Sequence, residues 1–101
     1  MSATLAVIWW RDIPAQVVVR EGRSTHKIVL EARFQEAIDR AAVRAGLTAT
    51  DAYLAEWRRE QRACSDDLEA EAVAESLLLD AAYPQARLAA LIAAGGKAAD
   101  A

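Results

Sequence analysis

Along the first thirty residues apolar side chains recur with a period near two, and from Glu31 onward with a period of three to four. The segment Thr4–Trp10 is dense in β-branched and aromatic residues. Its alternation sets Leu5, Val7 and Trp9 on one face and Ala6, Ile8 and Trp10 on the other. Both faces are apolar, which predicts a strand central in its sheet or covered on both sides. Pro14 brings no N–H to a ladder and biases Ile13 toward extended backbone, so Arg11-Asp12-Ile13-Pro14 reads as a break. Strands are predicted over 4–10, 16–20 and 25–30, the last two joined by a turn at Glu21-Gly22-Arg23-Ser24. Two tight connections in succession predict a three-stranded antiparallel meander.

The helical period starts with Phe34, Ile38, Ala41 and Ala45 as one stripe of a helix over 31–45, which Gly46 ends. Thr48 or Thr50 caps a second helix over 51–63, with Tyr53, Leu54 and Trp57 inward. A third, over 66–82, gathers Asp66, Asp67 and Glu69 at the positive end of its dipole. Leu68, Ala72, Leu79 and one or two of Val73, Leu77 and Leu78 are expected to face inward. Pro84 suits the first position of a last helix over 84–94 carrying Leu88, Leu91 and Ile92, and Gly95-Gly96 stops it. Residues 95–101 are expected to form a disordered tail. The fold class expected is α+β: one domain over 1–94, with the three-stranded sheet first and three to four helices packed mainly on one of its faces.

Composition narrows the function classes. The chain has 101 residues, 54% of them hydrophobic, and much of that share is alanine, so the Trp, Tyr, Phe, Leu, Ile and Val positions must carry the core. Formal charge is −3, divided as +2 over residues 1–62 and −5 over 63–101. A weakly acidic chain without a basic stripe is a poor match to nucleic acid, and the one dense cationic cluster, Arg58, Arg59 and Arg62, is interrupted by Glu60. The single cysteine, Cys64, excludes an internal disulfide and a thiolate zinc site. With no signal-like N-terminus and no run of about 18 apolar residues, a cytoplasmic protein off the membrane is expected.

Candidate chemistry is sparse. His26 is the only histidine and sits in a predicted strand without an acidic neighbour to orient it. Cys64 lies just before a predicted helix and two residues after Arg62, a setting that lowers thiol pKa. Glu71 and Glu75 are one helical turn apart and lack a histidine partner, so they read as a solvated face, and neither a metal nor a cofactor is expected. The remaining candidate is Trp9-Trp10-Arg11-Asp12. Alternation sends the two indoles to opposite faces of a small sheet, and an exposed Trp beside Arg11 would be a protein-docking anchor. Burial of both indoles would make the pair part of the scaffold.

The segments Thr4-Leu-Ala-Val-Ile-Trp-Trp-Arg-Asp-Ile-Pro-Ala-Gln-Val, Phe34-Gln-Glu-Ala-Ile-Asp-Arg-Ala-Ala and Thr50-Asp-Ala-Tyr-Leu-Ala-Glu-Trp-Arg-Arg resemble a small alphaproteobacterial "virulence factor" domain family, over about residues 4 to 94. The resemblance implies no catalytic residue. It implies a place among proteins of corrinoid- and folate-dependent one-carbon transfer, including relatives of methylenetetrahydrofolate reductase, as an accessory subunit. The leading expectation is therefore a non-enzymatic accessory or interaction protein that docks on a larger partner through the sheet and the loop of Trp9, Trp10, Arg11 and Asp12; homo-oligomers are compatible with it. The alternative is a small enzyme, or a subunit lending one residue to a shared active site, through Cys64, His26 or Arg11.

Overall fold

Thr4–Trp10 is too apolar on both sides to be an edge, and the structure gives that strand a neighbour on each side. A computed structural model describes residues 3–98. Four strands, β1 (Ala3–Trp10), β2 (Ile13–Glu21), β3 (Ser24–Val29) and β4 (Trp57–Cys64), form one antiparallel sheet in the order β3-β2-β1-β4. The helices are α1 (Ala32–Arg44), α2 (Thr50–Leu54), α3 (Leu68–Ala82) and α4 (Gln85–Ala93). The class is α+β, as expected, but the sheet has four strands and not three.

The fourth strand replaces most of the helix expected over 51–63, which survives only as the five residues of α2. Arg, Glu, Gln and Ala are helix formers, and almost every side chain of β4 is exposed, so no apolar alternation marks it. Tertiary pairing decides instead. β2 satisfies one ladder edge of β1, and β4 satisfies the other from Ala3↔Cys64 to Trp10↔Trp57. The charged side chains of β4 suit an outer strand, since they discourage further pairing at the free edge.

Pro14 does not stop β2, which starts at Ile13. The proline lies opposite Trp9, beside the register shift between Ile8 and Trp9, the kind of irregularity at which a sheet tolerates a residue without a donor. The core lies on one side of the sheet, where Leu5, Val7, Val17 and Val19 meet Phe34, Ala37, Ile38 and Ala41 of α1 and Ala72 and Leu79 of α3. Helix α4 adds Leu88 and Leu91. Arg33 fastens α1 to the end of α3: its Nη2 donates to Asp80 Oδ1 at 2.7 Å and its Nη1 to the Tyr83 carbonyl.

The segment after α4 is not a loose tail as far as Ala98; residues 99–101 lie outside the described residues. Gly95 and Gly96 are buried, and the Asp12 N–H donates to the Gly96 carbonyl at 2.8 Å. At Gly96 a side chain is sterically excluded, because an added Cβ would lie 2.8 Å from Cζ3 of Trp10 at a φ of +93°. Gly22, at a φ of +58°, faces open space. Gly96→Ala should therefore lose about 3 kcal/mol, combining left-handed strain with overpacking against the indole. Gly22→Ala should lose only the strain, about 1–2 kcal/mol. Urea denaturation of the two variants checks this, and equal losses would contradict the packing of Gly96 on Trp10.

Candidate functional site

The Trp9-Trp10-Arg11-Asp12 loop closes the β1–β2 hairpin, and its residues divide between scaffold and surface. Trp10 is fully buried. Its Nε1 donates to the Tyr53 carbonyl at 3.0 Å, and its ring stacks on Tyr53 with centroids 5.6 Å apart. Trp9 is half-buried on the helix side, edge-on to Tyr83 at 6.0 Å and covered by the Arg58 guanidinium at 5.0 Å. Arg11 takes a φ of 53°, and its side chain is committed: Nε donates to Glu56 Oε1 at 2.6 Å and Nη1 to the Gly95 carbonyl at 3.0 Å. Asp12 pairs with Arg58 at 3.3 Å and accepts from the Ala98 N–H at 2.7 Å. The expected exposed indole beside Arg11 is thus absent at Trp10, which serves the fold.

Strand geometry also dissolves the expected cationic cluster. In β4 the alternation sends Arg58 and Arg62 to the helix side of the sheet, where they pair with Asp12 and Glu75. Arg59, paired across the ladder with Ile8, points to the opposite, helix-free side.

Cys64 and His26 lie on β4 and β3, the two outer strands of the sheet, three strand spacings apart. That is on the order of 14 Å, too far for a nucleophile and its base. Burial pushes the Cys64 thiol above its ordinary pKa, and the Glu71 carboxylate adds to the effect while Arg62 opposes it. Any activation of the thiol by Arg62 is outweighed, in keeping with an incidental cysteine at the β4–α3 junction.

Glu71 and Glu75 do not form a solvated face. The Ser65 N–H donates to Glu71 Oε2 at 2.9 Å and Arg62 Nη2 to Glu75 Oε1 at 3.2 Å, so both carboxylates latch the start of α3 to the end of β4. Asp67 caps the same helix, its Oδ1 accepting from the Ala70 N–H at 3.2 Å. No group of three or more His, Cys, Asp or Glu side chains among the described residues is arranged to hold a metal ion. No described helix is long and apolar enough to cross a membrane.

The outward side of α3 is where the sequence reading missed most. Ala72 and Leu79 face inward as expected, but Val73, Leu77 and Leu78 are 41%, 63% and 65% exposed. Ala70, Ala74 and Ala81 lie exposed among them. The helix is apolar on both sides, a pattern that ordinarily belongs to a helix covered on both sides.

A family model described as "Virulence factor" matches residues 8–92, from the middle of β1 to the last turn of α4. The chain belongs to the virulence factor family. The matched span includes the buried Trp10, the Arg11–Glu56 pair and the whole of α3, so the family domain and the folded unit largely coincide. No curated protein and no solved structure matches the chain.

The latch at α3 has a pH signature. Hydrogen bonds from Ser65 hold the Glu71 carboxyl below its ordinary pKa of 4.5. A lowered folded-state pKa contributes stability above the unfolded value and loses it as pH falls through the folded one. The stability difference between wild type and Glu71→Gln should therefore be constant above about pH 5.5 and shrink below about pH 4.5. Urea midpoints of both proteins from pH 7 to pH 3 check it, and a difference that grows on acidification would contradict the latch.

Proposed function

We propose that this virulence factor family protein is a non-catalytic accessory protein that docks on a larger protein through the outer side of α3. The observation that carries the reading is the exposure of Val73, Leu77 and Leu78 on one stripe. Val73 and Leu77 lie one turn apart, and Leu77 and Leu78 flank the exposed Ala70, Ala74 and Ala81, which makes a contiguous apolar face of the kind that marks a protein contact. Counted with Ala70, Ala74 and Ala81, the spacing of three and four residues suits insertion of the face into a groove of the partner. Acidic residues flank it at one end, where Asp66, Asp67 and Glu69 open the helix.

The resemblance of the chain to proteins surrounding one-carbon transfer makes folate- and corrinoid-dependent enzymes of the same genome the first partners to test. The buried Trp10 indole offers no anchor, whereas the outer side of α3 is free in the folded chain.

Co-expression of the chain with such an enzyme, followed by size-exclusion chromatography with light scattering, tests the proposal. Wild type is expected to co-elute, and the Leu77→Glu/Leu78→Glu variant, with an unchanged circular dichroism spectrum, to bind at least tenfold more weakly. Undiminished binding by the folded variant would overturn the assignment of α3. A wild-type dimer that the variant abolishes would reassign the strip to self-association.

A further inference from the structure

The side of the sheet that carries no helix has a charge pattern opposite to that of the chain as a whole. Three rows can be read across the strands in the order β3, β2, β1, β4 from the ladder registers. They are Thr25, Arg20, Thr4 and Ala63; Lys27, Val18, Ala6 and Gln61; and Val29, Gln16, Ile8 and Arg59. These twelve positions hold three cations and no carboxylate, in a protein whose formal charge is −3. Arg11, Arg33, Arg58 and Arg62 have ion-pair partners, whereas Arg20, Lys27 and Arg59 make none among the described residues.

The cations surround a small apolar centre. Arg20 and Arg59 approach from β2 and β4 and, with Thr4, Gln61, Ala6 and Val18, line one shallow cavity of about 210 Å³. Ala6 is only 5% exposed there although no helix lies over these three rows. Below the third row the face ends at Trp10 and Trp57, both packed against Tyr53 of α2. The site is therefore a shallow basic hollow on the sheet. Two guanidinium groups offer forked donors, and the Thr4 hydroxyl and Gln61 amide add neutral ones.

We propose that this uncovered sheet face is a second docking surface, which takes an acidic polypeptide segment and seats its carboxylates between Arg20 and Arg59. Carboxylates suit planar guanidinium donors, and the apolar floor of Ala6 and Val18 accommodates the aliphatic part of a glutamate. Nucleic acid fits less well. Three cations neutralise few phosphates, and the twelve positions include no aromatic ring on which a base would stack. The surface is independent of the α3 strip, so substitutions at one leave the other to be measured.

Fluorescein-labelled poly-L-glutamate is the probe, titrated with the full chain at low salt and read by anisotropy, with amide shifts of the ¹⁵N-labelled chain mapping the contact. Binding is expected to perturb Thr4, Ala6, Val18, Arg20, Arg59 and Gln61 and to weaken as salt is added. Arg20→Gln/Arg59→Gln is expected to weaken it at least tenfold, whereas Arg40→Gln/Arg44→Gln, on α1, changes it less than twofold. Equal loss in the α1 variant, shifts confined to other surfaces, or no binding by folded wild type would overturn the proposal. Tighter binding of oligo(dT) than of poly-L-glutamate at the same salt and the same residues would overturn it in favour of a phosphodiester ligand.

Discussion

The positive φ of Arg11 is the constraint around which the chain closes. A left-handed backbone at a non-glycine residue costs about 1–2 kcal/mol, and here two distant parts of the sequence and the preceding residue offset it. Glu56, at the entry to β4, accepts from the Arg11 side chain and backbone; Gly95, after α4, accepts from its guanidinium; and Trp10 lies beneath it at 5.4 Å. One residue thus holds the first hairpin, the fourth strand and the C-terminal turn together. Trp10 is the packing side of the same knot. Removing a buried ring of this size costs about 3–5 kcal/mol, a large part of the stability of a domain of about 100 residues.

This knot leaves two surfaces uncommitted. Helices α1 and α3 cover one side of the sheet, with α4 behind α1, while α2 reaches only the Trp10–Trp57 end of the other. The outer side of α3 is apolar and the bare side of the sheet is basic, so they differ in the chemistry each can recognise. The acidic side chains lie mainly on the helix side, many of them engaged, as Glu56, Glu75 and Asp80 are with arginines. Segregation of charge by strand alternation is what allows a weakly acidic chain to present a basic face.

What the sequence showed and hid follows from where each residue gets its reason. The strands β1 and β3 and the helices α1 and α4 were legible because their apolar periodicity is set by burial on one face. β4 was not, because it buries almost nothing and exists to complete the ladder of β1; the signal for it lay in β1, whose two apolar faces called for a neighbour on each side. α3 was legible as a helix with Ala72 and Leu79 inward, but its exposed outer side was not, since Val73, Leu77 and Leu78 are as apolar as the residues it buries. The site residues divide similarly. Trp9 to Asp12 stood out by composition, but an indole, an arginine and a carboxylate are equally the materials of a buried knot. The basic sheet face depends on β4 and its register, and becomes visible only when Arg59 is placed beside Ile8.

The central claim is that the most interface-like residues in the sequence, Trp10 and Arg11, are committed to the fold, Trp10 by burial and Arg11 by its bonds to Glu56 and Gly95, so that recognition falls to the surfaces they leave free. The ¹⁹F spectrum of the wild-type chain labelled with 5-fluorotryptophan tests it directly, with the Trp10 resonance identified by its loss in Trp10→Phe. No solvent-isotope shift on transfer from H₂O to D₂O is the result the account predicts for that resonance. A shift equal to that of the free amino acid would contradict it.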